Sequence, residues 1–189
     1  MKKHLKNATQ LIRRNSEFLI GAGIVGALVG AVAIVALVNH FSGPVIVHQP
    51  AKACDLFTLQ EARSLLGEDV LQTESNKPVI TGDVAVSKCS YTDTVADPTQ
   101  MTVAAVAVRS GINDEGLARN VADFAVAKSN NSVEKIENLG EDAYFNKTIG
   151  QLNVLSGKKW IIMSYGIGSA PESNTLDQAK VLAQKVITK

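Results

Sequence analysis

The chain has 189 residues, with 19 Lys and Arg against 18 Asp and Glu, a formal net charge of +1, and two cysteines. That balance hides an asymmetry: residues 1–17 hold five bases (Lys2, Lys3, Lys6, Arg13, Arg14) against Glu17, a net of +4, while from Cys54 onward 13 bases face 17 acids, a net of −4. An acidic C-terminal part with scattered bases lacks the clustered positive surface that phosphate backbones require, which speaks against nucleic-acid binding.

Residues 1–17 read as a basic cytoplasmic tail, because positive charge beside an apolar span stays inside. Residues 18–38 (FLIGAGIVGALVGAVAIVALV) carry no charge over 21 positions. As a helix they would span roughly 30 Å, the thickness of a bilayer core. A single-pass anchor follows, with everything after Asn39 outside the cell membrane. A cleaved secretory signal would have a shorter apolar run ending in a small-residue cleavage site; here Asn39-His40-Phe41 follows instead. A lipoprotein would need its cysteine directly after the apolar run, and Cys54 stands 16 positions beyond Val38. Gly26 and Gly30 form a GxxxG pair, the kind of small-residue stripe through which membrane helices pack, so a homodimer through this helix is one expectation. The plain alternative is that glycine is common in such helices.

Residues 39–53 contain Gly43-Pro44 and Gln49-Pro50 and no helical period, and read as an extended linker. The domain proper is expected over 54–189. Both Cys54 and Cys89 fall in the part placed outside, where thiols oxidise, and a disulfide between them is the first expectation. A metal pair or a catalytic thiol would need partners, and His4, His40 and His48 all precede Cys54.

Thr58-Leu59-Gln60-Glu61 has the form of a capping box opening a helix that runs to about Leu66, with Gly67 after it. Residues 71–83 read as a loop or short edge strand. Residues 84–92 and 101–109 carry the β-branched and aromatic residues of two antiparallel strands. Asn113 or Asp114 caps a second helix, in which Leu117, Val121, Phe124 and Ala125 form the expected apolar stripe. Four short strands follow at 133–136, 143–146, 151–155 and 159–165, separated by turn signals at Gly140, Gly150 and Ser156-Gly157. Trp160-Ile161-Ile162-Met163 is apolar on both faces, as a covered central strand should be. Thr175-Leu176-Asp177-Gln178 repeats the capping box before a terminal amphipathic helix. The expected fold class is α+β, an antiparallel sheet packed with about three helices in the order α-β-β-α-β-β-β-α.

With Cys54-Asp55-Leu56-Phe57-Thr58, Cys89-Ser90-Tyr91 and Leu139-Gly140-Glu141-Asp142-Ala143-Tyr144 in view, the domain resembles a broad group of actinobacterial cell-envelope lipoproteins and sensor-like extracytoplasmic domains of unassigned function. The resemblance covers about 130 residues and rests on short motifs. It implies a disulfide and an α/β sandwich similar to the photosystem accessory-protein fold, and it supplies no catalytic residues. Many such proteins carry an acylated cysteine where this chain has an apolar span.

A serine hydrolase needs an imidazole base, and none exists from Cys54 onward. Zinc would be left with carboxylates alone. No phosphate-binding or dinucleotide loop is present. Glu141-Asp142 and Asp114-Glu115 are adjacent carboxylates that could hold a hard cation or serve as an acid and base, but their places before a strand and at a helix start suit solvated caps. Tyr144, Trp160 and Tyr165 could line an apolar pocket, against the plainer reading that a small domain spends its aromatics on its core. Asn130-Asn131-Ser132 and Asn146-Lys147-Thr148 match glycosylation acceptors. No catalytic residue, metal or cofactor is expected. The expected function is a non-enzymatic envelope module binding a protein, glycan or lipid; the alternatives are a membrane subunit acting through its helix, or a carboxylate-based enzyme.

Overall fold

A computed structural model describes residues 46–97, 99–130, 132–167 and 173–187. The basic tail, the apolar run with Gly26 and Gly30, and the first part of the linker lie outside the described residues. Among those that are described, no helix is long and apolar enough to cross a membrane.

The fold is α+β, with one antiparallel sheet and four helices among the described residues. In chain order the elements are α1 (Ala53–Leu56), α2 (Leu59–Leu66), β1 (Val70–Ser75), β2 (Val79–Thr81), β3 (Val84–Asp93), β4 (Thr102–Gly111), α3 (Asp114–Lys128), β5 (Val133–Ile136), β6 (Asp142–Asn146), β7 (Gln151–Ser156), β8 (Lys159–Ile167) and α4 (Leu176–Val186). The sheet runs β1-β3-β4-β8-β7-β6-β5, with β2 pairing β3. The doubly apolar strand β8 sits at its centre.

Local chemistry explains these boundaries. The Thr58 amide donates to the Glu61 carboxylate at 2.7 Å while the Thr58 hydroxyl accepts from the Glu61 amide, a complete capping box. Thr175 and Gln178 form the same arrangement before α4. Gly157 and Lys158 both take positive φ, 55° and 61°, which a tight two-residue β7–β8 hairpin requires.

One row of cross-strand partners defines the main core: Cys89, Val106, Met163, Leu152 and Phe145 stand side by side on five neighbouring strands. All are buried in one cluster with Ala53, Phe57 and Ala62 from the first two helices and their flanks, and with Leu182, Ala183 and Val186 from α4. Three helices therefore cover this face. The Cys54–Cys89 disulfide is formed, tying α1 to β3.

Three features depart from the sequence expectation. First, residues 71–83, read as a loop or short edge strand, hold most of β1 and all of β2, two strands that both pair with β3 at the exposed edge of the sheet. Second, a short extra helix, α1, precedes the capping box. Third, α3 buries Gly116, Asn120 and Phe124, and leaves Val121 and Ala125 exposed. Its docking face is chosen by close approach. A Cβ on Gly116 would lie 1.9 Å from the Asp83 carbonyl oxygen, so the helix seats where it has no side chain.

The chain is also docked ahead of residue 54. The amides of Val47 and His48 both donate to the Ile112 carbonyl, at 2.7 and 2.9 Å. The Ala51 amide donates to Ser110 Oγ, and the Ala53 amide to Ser87 Oγ, so the end of the expected linker lies along β3 and β4.

Candidate functional site

The second face of the sheet is only half covered, and the strand register shows why. Alternate residues point to it in rows. Arg109, Trp160 and Leu155 form one row, Lys88, Ala107, Ile162, Asn153 and Tyr144 the next, and Ser90, Ala105, Ser164 a third. Helix α3 crosses the first row and one end of the second. Phe124 packs on Trp160 and Tyr144 with ring centroids 5.7 and 5.1 Å away, and Leu155 completes this cluster.

Polar contacts lock the covered half. Asn120 Nδ2 donates to the carbonyls of Arg109 and Lys158, Arg109 pairs with Asp123 at 2.5 Å, and the guanidinium lies 5.7 Å from the Trp160 ring centre. Trp160 Nε1 donates to Asn153 Oδ1 at 2.8 Å. Burial pushes the Tyr144 phenol up to about 12.

Among the described residues, nothing covers the face beyond α3. A shallow groove of about 180 Å³ has Ala105, Ala107, Ile162 and Ser164 as its floor and Glu74, Lys88 and Gln151 as its rim. Lys88 Nζ and Glu74 Oε1 stand 3.7 Å apart on one side, a loose pair that can exchange partners at little cost. Small side chains on the two adjacent strands β4 and β8 make most of the floor flat, and polar ends make the rim wettable. Small-molecule pockets run to about 300–1,000 Å³ and enclose their ligand. This groove is smaller and open, which suits a surface laid across it.

Of the aromatic residues expected to line a pocket, Tyr144 and Trp160 come together, but under α3 and against Phe124. Tyr165 stands on the opposite face, where its hydroxyl donates to the Leu65 carbonyl; burial raises its phenol, and the Asp93 charge adds to that. The three line no common cavity. On the Tyr165 face, burial raises Tyr91 as well, helped by the charge of Glu61.

The adjacent carboxylates separate into local roles. Glu141 accepts from the Gly157 amide at 2.6 Å, Asp142 pairs with Lys128, and Asp114 lies 2.9 Å from His48 Nε2. Among the described residues, no three His, Cys, Asp or Glu side chains are grouped to hold a metal ion.

The groove floor escaped the sequence reading. Its one trace is the alternation in residues 104–108, where Val106 and Val108 point into the main core and Ala105 and Ala107 point away. No protein-family model, curated protein or solved structure matches the chain.

Proposed function

We propose that the chain is a membrane-anchored envelope module, held outside the cell by residues 18–38, that binds a protein, glycan or lipid partner without catalysis. The observation carrying this reading is the uncovered half of the sheet, where a flat floor of Ala105, Ala107 and Ser164 lies beside a helix that covers the rest of the face. A sheet face covered by neither helix nor loop is where a sandwich of this size has room for a partner. The Cys54–Cys89 bridge supports the compartment, since such bonds persist where thiols are not kept reduced. The resemblance to actinobacterial envelope domains points the same way.

A photocrosslinking side chain at Ala107, in the full-length chain in its native membrane, tests the reading. Adducts that form there and disappear with Ala105→Arg support it. Adducts no stronger than those from Val126, on the outer side of α3, would sink it.

A second reading, a structural or regulatory membrane subunit, is favoured by Gly26 and Gly30. Replacing residues 18–38 with polyleucine separates the two: function lost with the domain intact would favour the subunit. A carboxylate enzyme is disfavoured, because Asp114, Glu141 and Asp142 are engaged in separate local contacts.

A further inference from the structure

We propose that the Cys54–Cys89 bridge is a directional thiol-exchange site, at which a low-molecular-weight thiolate attacks Cys54 Sγ and Cys89 is the leaving sulfur. The product is a folded domain that carries the incoming thiol on Cys54.

The two sulfurs have unequal surroundings. Cys89 is fully buried in the main core, next to Val106 in the strand register and clustered with Ala53 and Phe57. Cys54 belongs to the short helix α1 and is only partly buried. Its Sγ lies 3.2 Å from Gln72 Nε2 and 3.4 Å from Ser75 Oγ, and both of these side chains are exposed on the edge strand β1. Core atoms therefore enclose one sulfur, and wettable side chains border the other. Exchange depends on which sulfur a thiolate can reach, and attack at Cys89 would first have to part the core.

The step is a displacement at sulfur. The thiolate forms a bond to Cys54 Sγ, the Cys54–Cys89 bond breaks, and its electron pair leaves on Cys89 Sγ. The Gln72 amide, 3.7 Å from that sulfur, can donate to the emerging anion and favour its departure. The Cys89 thiolate then takes a proton from solvent and, as a thiol, donates to the Phe57 carbonyl oxygen 3.5 Å away. One disulfide replaces another, so the thiol is the only co-reactant. Return requires Cys89 to give up that proton, because the thiolate is the nucleophile. Exchange also frees α1 from β3, leaving the hydrogen bond from the Ala53 amide to Ser87 Oγ to hold its start.

The test uses the full oxidised chain in detergent micelles, treated briefly with excess reduced glutathione at mildly alkaline pH and quenched with acid and N-ethylmaleimide. Trypsin puts the two cysteines on separate peptides, cutting after Lys52 and Arg63 for one and after Lys88 and Arg109 for the other. By mass spectrometry, glutathione should sit on the Cys54 peptide at least about tenfold more often than on the Cys89 peptide, which should carry maleimide. In urea the preference should vanish. Gln72→Leu, at an exposed position, should slow the exchange severalfold and leave the preference for Cys54 intact. Equal labelling of the two cysteines in the folded chain, a preference that survives urea unchanged, or a bridge that gives no glutathione adduct would each overturn the proposal. An unchanged rate in Gln72→Leu would remove Gln72 from it.

Discussion

Asn120 and Lys158 meet where α3 crosses the β7–β8 turn: the Asn120 amide donates to the Lys158 carbonyl at 3.2 Å and to the Arg109 carbonyl at 2.9 Å. One fully buried side chain thereby fastens the helix to β4 and to the turn before β8. Asn120→Leu keeps the branched shape in a somewhat larger side chain and removes both donors. The two stranded carbonyls should cost about 2 to 4 kcal/mol, read as a lower urea midpoint. An unchanged midpoint would show that these bonds contribute nothing net.

Gly116→Ala tests the close approach of α3. In an exposed helix this change stabilises by about 1 kcal/mol. Here the new methyl would collide with the Asp83 carbonyl, so the sign should reverse. Trp160 is the single tryptophan and packs on Phe124, so displacement of α3 should shift its emission to longer wavelength. A more stable variant with native emission would contradict the packing.

Reducing the Cys54–Cys89 bridge, which joins residues 35 apart, should lower stability by about 3 to 4 kcal/mol on the chain-entropy model. The paired Cys54→Ser and Cys89→Ser variant should behave like the reduced chain, and reductant should leave it unaffected. Equal urea midpoints for oxidised and reduced wild-type chain would refute this.

Tyrosine ionisation gives stability a pH dependence of known sign. The phenols of Tyr144, Tyr91 and Tyr165 are all raised, Tyr144 to about 12, chiefly by burial. Unfolded tyrosines release their protons near pH 10, before the folded ones do, so the unfolded chain binds fewer protons above that point. Their contribution is complete below about pH 10 and is lost as pH rises toward about 12. Urea midpoints should be level on the lower side and fall on the upper side. Tyr144→Phe should flatten part of the fall, and an identical slope in that variant would remove Tyr144 as its source.

Much of the fold was legible because its signals are local. Thr58 with Glu61 and Thr175 with Gln178 announce helix starts through side chains that reach their own backbone. The paired strands β3 and β4 announce themselves through β-branched residues. What escaped depends on partners distant in sequence. Asn120 is polar, so the apolar pattern points past it to Val121 and Ala125, and only the Arg109 and Lys158 carbonyls, distant in sequence, let it be buried beside Phe124. Strand β1 is mostly polar and β2 is only three residues long, and exposed edges of this kind give weak periodicity. The groove is defined by which rows α3 leaves uncovered, a matter of crossing angle that composition does not encode. Tyr165 falls on the other side of the sheet from Trp160 by strand alternation alone, five positions apart in sequence.

The docked stretch from Val47 to Ala53 also decides how the domain meets mechanical load. Tension drawn from the N-terminal side arrives first at the two amides held by Ile112, then at the serine hydroxyls of Ser110 and Ser87. Those contacts can be peeled one at a time. At Cys54 the peeling stops, because the next link is covalent and passes into β3, one strand in from the sheet edge. The docked stretch can thus yield by about seven residues before load passes through Cys89 into β3, bypassing the loop between the two cysteines that holds α2, β1 and β2.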